Sequence, residues 1–169
     1  MPIQDLWVHT QFALDREQRA ELLALADPTA IVDLAERALA LSEIRDRLVV
    51  IQPAETGLVM LQVREPVCSE RFHLGEVVVT RAEVAVGEAH GWSMRLGGDG
   101  HAALGAAICD AVAELVAAAG SSGSVTTGTV GVALEVDELC RRTRDQGEAA
   151  RHREWDELAP TVVQFEELD

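Results

Sequence analysis

Residues Arg71–Val86 read RFHLGEVVVTRAEVAV, and this stretch decides the fold. Val77, Val78, Val79, Val84 and Val86 are β-branched, and such side chains favour the pleated strand. Gly75 inside the run marks a bulge or the close approach of another backbone. Upstream, Leu48–Gln52 and Thr56–Arg64 (TGLVMLQVR) have the same character, and Pro53-Ala54-Glu55 is expected to turn the chain between them. Pro66–Ser69 supplies a second turn into Arg71. Downstream, Gly87–Gly91 is turn-like and Trp92–Leu96 can form one more strand. The central stretch and its neighbours therefore predict an antiparallel meander of about four strands.

Helical patterns flank this sheet. Asp15 followed by Gln18 has the spacing of a capping box, and Leu22, Leu23, Leu25 and Ala26 supply an apolar face. Asp27-Pro28 is a second start signal, ahead of Ile31, Leu34, Ala35, Ala38 and Leu41 at helical spacing. Gln4–Ala13 is expected to add a short helix. After the sheet, Gly97-Gly98-Asp99-Gly100 breaks the chain, and Asp99 can cap a helix running to Ala119. The buried stripe of that helix is expected to be Leu104, Ile108, Val112, Leu115 and Ala119. Residues 120–131 (GSSGSVTTGTVG) have linker composition. The stretch from Ala133 to Ala159 is helical again but thinly apolar after Cys140, with Leu139, Trp155 and Leu158 scattered along it. Thr161–Phe165 is expected to be extended. Together these patterns predict an α+β fold: a core domain over 1–119, a flexible linker over 120–131, and a C-terminal helical arm and tail over 132–169.

Composition excludes several functions. Of 169 residues, 29 are acidic and 14 basic, giving a net charge of −15, and all 14 cations are arginine. A P-loop requires its lysine, and so do Schiff-base chemistry and a lysine general base. A pI near 4.6 opposes sequence-independent nucleic-acid binding and attachment to anionic membranes, both of which need a basic surface. No apolar run is expected to span a membrane. Cys68, Cys109 and Cys140 show no CxxC spacing, and Cys109 lies in an apolar helical pattern. An odd cysteine count without a signal-peptide pattern points to reduced thiols and the cytoplasm.

No catalytic set declares itself. His9, His73, His90, His101 and His152 lack metal-ligand spacing, so no metal site is expected. Arg71 and His73 alternate on one face of the predicted strand and, with Arg81, have the chemistry to meet a phosphate; a solvated or cross-strand-paired polar face of a half-buried sheet is the simpler reading. Glu55, Glu76 and Glu83 are acid/base groups by type alone, with no paired nucleophile. The glycines of 97–100 precede a helix, but Asp99 would repel an anion there. No serine sits in GxSxG or SxxK. The charged C-terminal helix after a Gly/Ser stretch has the character of a docking element, or of a surface helix folded back on its own sheet.

Four blocks carry a resemblance: AETGLVMLQVR at 54–64, ERFHLGEVVVTRAEV at 70–84, GWSMRLGGD at 91–99 and HAALGAAICDAV at 101–112. In order and spacing they resemble PhnG, a subunit of the bacterial carbon–phosphorus lyase system for phosphonate use. The tail departs from the family's usual ending, with added acids and no final Arg-Gly. The resemblance implies a role beside PhnH-like, PhnI-like and PhnL-like proteins in replacing the base of a purine nucleoside triphosphate by a phosphonate at ribose C1. A PhnJ-like subunit later breaks the C–P bond with an iron–sulfur cluster and S-adenosylmethionine. No cofactor is expected on this chain; ATP or GTP, Mg, the cluster and S-adenosylmethionine belong to the complex. Partner or substrate contact is expected at Glu55, Thr56, Gly57, Arg71, His73, Gly75, Glu76, Thr80 and Arg81. A vacant partner surface also favours a homodimer of the isolated chain. Two other readings stand beside this one: a stand-alone enzyme acting on a nucleotide or sugar phosphate, and an interaction domain unrelated to phosphonates.

Overall fold

In a computed structural model, the structure describes residues 14–119 and 125–161. The expected N-terminal helix at Gln4–Ala13 and the extended segment after Thr161 lie outside those residues. Three short elements lead in: α1 (Arg16–Leu25), α2 (Pro28–Ala40) and the single turn α3 (Ser42–Arg45). Both sequence caps form. The Asp15 carboxylate accepts the Gln18 N–H at 2.8 Å and Gln18 reciprocates, while Asp27 accepts the Ala30 N–H at 2.9 Å ahead of Pro28.

The sheet has three strands rather than four, ordered β1 (Leu48–Arg64), β2 (Arg71–Val86) and β3 (Ala89–Leu96), each antiparallel to its neighbour. The two predicted upstream strands are one strand of 17 residues. Pro53-Ala54-Glu55 does not reverse the chain; it produces register shifts between Val50 and Gln52 and between Gln52 and Glu55. β1 lies at the sheet edge, where proline's missing N–H breaks no ladder, and none of the three residues is a glycine or asparagine of the kind tight reversals use. The real turns are at the two ends of β2. At the first, the Glu65 carboxylate accepts the Val67 N–H at 2.8 Å, and Ser69 takes a positive φ of 58°. At the second, Gly87 and Glu88 close a two-residue hairpin, with Gly87 at φ 62°.

Helix α4 (Gly100–Ala119) starts at Asp99, whose carboxylate accepts the Ala102 N–H at 3.0 Å. It is 20 residues long with a mean hydropathy of 1.8, enough by length and composition to cross a membrane, and 78% of that window is buried within this fold. The sequence expectation of no such stretch is therefore corrected. A helix apolar on all sides is a core helix, and α4 packs on the sheet, α1, α2 and α5 (Thr127–Leu158). Small residues allow this: Ala102, Ala103, Ala106, Ala107, Ala111 and Ala113 are fully buried. At Gly91 of β3 the two backbones come so close that an added Cβ would sit 2.7 Å from the Ala111 Cβ.

Helix α5 begins at Thr127, capped by the Thr126 hydroxyl, so the last residues of the predicted linker are helical. Its first half is core, with Val132, Ala133, Val136, Leu139 and Cys140 buried. Its second half is polar and exposed, and ends in a short 3-10 turn at Ala159–Thr161.

Candidate functional site

The sheet divides along its length. β3 pairs with β2 only from Val79 to Val86, whereas β1 accompanies β2 out to Arg64 and Arg71. The outer part of the β1–β2 hairpin therefore extends past α4 and β3. There, residues of both alternating faces are exposed: Leu58 at 61%, Met60 at 56%, Phe72 at 45% and Leu74 at 62%. Adjacent large apolar groups uncovered in this way mark an interaction surface.

The residues expected to make contact fall into two groups. Glu55, Thr56, Gly57, Thr80 and Arg81 meet across the β1–β2 ladder, with Glu55 opposite Arg81, Thr56 opposite Thr80 and Gly57 opposite Val79. Thr80 is buried. Its hydroxyl lies 2.9 Å from that of Thr56 and donates to the Gly97 carbonyl at 2.7 Å, which ties the base of the hairpin to the turn before α4. Arg81 faces Glu83 at 3.5 Å, and Glu55 accepts from the Gln52 amide at 2.8 Å. Arg71, His73, Gly75 and Glu76 lie near the tip, all exposed, opposite Arg64, Gln62, Leu61 and Met60. At about 3.3 Å of rise per residue, Arg71 and Arg81 stand about 30 Å apart, so no single phosphate reaches both. Gly75 borders a register shift between Leu61 and Gln62, and a Cβ placed on it would meet nothing within 4 Å. Of the two roles open to it, the structure shows the bulge.

A second polar constellation lies at the base. Asp110 is 1% exposed on α4 and accepts from the Arg19 Nε at 3.0 Å, the Arg16 Nη2 at 3.2 Å and the Trp92 backbone N–H at 3.1 Å. Arg19 also pairs with Glu114, one turn on. Arg16 donates to the His90 carbonyl at 2.8 Å. Arg95, itself buried, donates to the Leu23 and Ala26 carbonyls at the end of α1; burial lowers its pKa, opposed by Asp99 and Asp27. The motifs of the sequence do not identify this network. Its signal is nonetheless present in Asp110 and Glu114, two acids four apart in an otherwise apolar helix, and in Arg16 and Arg19, three apart on α1. With Arg16 and Arg19 paired to Asp110 and Glu114, and Arg95 held by backbone carbonyls, the network locks α1, β3 and α4 together rather than presenting reactive groups.

The thiols are dispersed. Cys68 is exposed in the hairpin turn, while Cys109 and Cys140 are buried in the core. Burial pushes both core thiols up to about 12, with smaller help from neighbouring acids. Among the described residues no three His, Cys, Asp or Glu side chains come together as a metal site.

Comparison with protein families adds the deciding observation: the model of the phosphonate metabolism protein PhnG matches residues 14–168. The chain belongs to the PhnG family. Comparison with curated proteins finds no match. The PhnG match spans α1 to α5 and runs through the projecting hairpin, so the hairpin is part of the family's pattern. Membership implies involvement in phosphonate metabolism as part of a multi-subunit system.

Proposed function

We propose that this chain is a supporting subunit of the carbon–phosphorus lyase core complex, acting in the cytoplasm. In this reading it assists transfer of a phosphonate to ribose C1 of a purine nucleoside triphosphate, with loss of the base. PhnI-like, PhnH-like and PhnJ-like subunits and a PhnL-like ATPase-type protein are its partners. ATP or GTP with Mg serves the complex, and the iron–sulfur cluster and S-adenosylmethionine sit on another subunit. The observation that carries the reading is the hairpin: both of its outer faces expose apolar side chains that the described residues of the fold leave uncovered. Burying such groups on a partner contributes roughly 25 cal/mol per Å² of apolar surface removed from water.

Charge supports the same reading. A net charge of −15, with Arg16, Arg19 and Arg95 engaged internally, leaves little to neutralise a triphosphate. Neighbouring subunits and metal ions then carry that task.

The test is co-expression with a PhnI homologue, followed by size exclusion and assay of base release from ATP plus methylphosphonate. The two proteins should co-elute, and activity should require both. Arg71→Ala and Arg81→Ala should weaken co-elution and growth on methylphosphonate. If both variants behave as wild type, the assignment of those residues is wrong. Turnover by this chain alone would instead establish a stand-alone enzyme.

A further inference from the structure

On the opposite side of the sheet from β1, the edge of β3, which no other strand pairs among the described residues, runs beside α1 and leaves an open groove of about 700 Å³. Its walls are mainly Ala20, Ala24, Leu25, Trp92, Met94 and Leu96. Ala20 and Ala24 share one face of α1 with Glu17 and Glu21, which line the same groove. The other charges lining it are Arg16 and Arg95, and both are already engaged: Arg16 by Asp110 and the His90 carbonyl, Arg95 by the Leu23 and Ala26 carbonyls. The uncommitted charge of the groove is therefore carboxylate, set against an apolar floor.

The edge itself is polar backbone. From the two-residue hairpin onward, antiparallel pairing alternates hydrogen-bonded and non-bonded residues, so His90, Trp92, Met94 and Leu96 turn their N–H and C=O away from β2. Two of these positions are already satisfied by side chains: the His90 carbonyl by Arg16 and the Trp92 N–H by Asp110. Met94 follows in the same alternation, inside the groove.

From these features we infer that the α1–β3 groove receives an extended partner segment in which apolar residues alternate with arginine or lysine, added as a strand to the β3 edge. Main-chain bonds to Met94 supply attachment, the apolar floor takes every second side chain, and Glu17 and Glu21 select the cations. The groove runs along the β3 edge, whereas the projecting hairpin is built from β1 and β2, and the groove's occupant does not depend on the phosphonate assignment.

The test is fluorescence anisotropy with a labelled octapeptide alternating arginine and valine. The control is a peptide of the same composition with its arginines and valines in two blocks. Measurement at about 0.3 M salt screens the general attraction of an acidic protein for any cation. The alternating peptide should bind and the block peptide should not. Ala24→Arg, which fills the groove and offsets one of its two carboxylates, should abolish binding. Met94→Pro removes an edge N–H that faces away from β2 and should weaken binding about tenfold. Glu17→Gln with Glu21→Gln should weaken it about fivefold. Glu135→Gln with Glu138→Gln, on α5, should change nothing. Equal binding of the two peptides, no binding of either, or wild-type binding by Ala24→Arg overturns the inference. Displacement of the probe by a peptide of this chain's own residues 2–13 overturns the assignment to a partner. If Met94→Pro does not fold, Ala24→Arg, at a half-buried helix position, carries the test.

Discussion

The two halves of β2 are made of similar residues and meet opposite fates. In the inner half, Ala82, Val84 and Val86 join the core beneath α4, and Val79 and Ala85 are buried on the other face beside β1 and β3. In the outer half, Phe72, Leu74 and Val78 are each at least 45% exposed. Nothing in strand propensity separates them. The difference is coverage: β3 stops at Leu96, opposite Val79, and α4 starts just beyond. An apolar residue on the inner half belongs to the fold, whereas one on the outer half is available to a neighbour.

The largest expected effect lies on the inner side of that contrast. Asp110→Ala strips a buried carboxylate from Arg19 and leaves the guanidinium without its buried partner. Removing one member of a buried pair costs about 3–5 kcal/mol, which should appear as a lower urea midpoint. Leu74→Ser at the hairpin should shift the same midpoint by less than about 0.5 kcal/mol. A large loss at Leu74 would mean that the outer half is part of the core after all, and the comparison would fail.

Gly91→Ala comes next. The added methyl would press on Ala107 and Ala111 of α4, and overpacking of this kind costs about 1–3 kcal/mol. The same substitution at Gly75, where a Cβ meets nothing within 4 Å, should be close to neutral in a thermal melt. The pair measures how tightly each end is packed with one methyl as the probe.

The cysteines sharpen the same division kinetically. Cys68 is in the hairpin turn; Cys109 and Cys140 are buried, with thiols pushed up to about 12. Since the thiolate is the reactive form, titration with a disulfide reagent at neutral pH should show one fast thiol. The other two should react at the rate of unfolding. Two fast thiols in the native protein would show that the inner half opens readily.

Much of this architecture is legible in the sequence because local chemistry specifies it. Asp15, Asp27 and Asp99 each cap the helix that their spacing predicts, and the valines of β2 mark the central strand. What is not legible depends on distant partners. Pro53 reads as a reversal because no local pattern shows that β1 lies at an edge, where a proline is tolerated. The strand count falls from four to three for that reason. The Arg19–Asp110 pair joins residues 91 positions apart, beyond the reach of periodicity. Residue chemistry and the resemblance together single out the hairpin residues, and only the structure shows that Thr80 is interior while Arg71 and Arg81 are too far apart to share a ligand.

The smallest expected effect probes the rim of the packed end, where α3 meets the start of α5. Burial tends to raise the Glu43 pKa, but hydrogen bonds from the Thr126 and Thr129 hydroxyls and the Thr126 N–H, together with the charge of Arg47, outweigh it and hold the group below its ordinary range. A carboxylate whose folded pKa is depressed stabilises the fold above its unfolded pKa, and that contribution disappears as pH falls through the folded value. Glu43→Gln should therefore lower stability at pH 7 by no more than about 1 kcal/mol. The gap between variant and wild type should close on acidification below the ordinary carboxylate range. Urea denaturation of both proteins at pH 7 and at about pH 3 provides the check. A gap that stays constant would assign the loss to packing of the side chain, and a gap that widens in acid would mean that folding raises the Glu43 pKa, with burial outweighing the threonine hydrogen bonds.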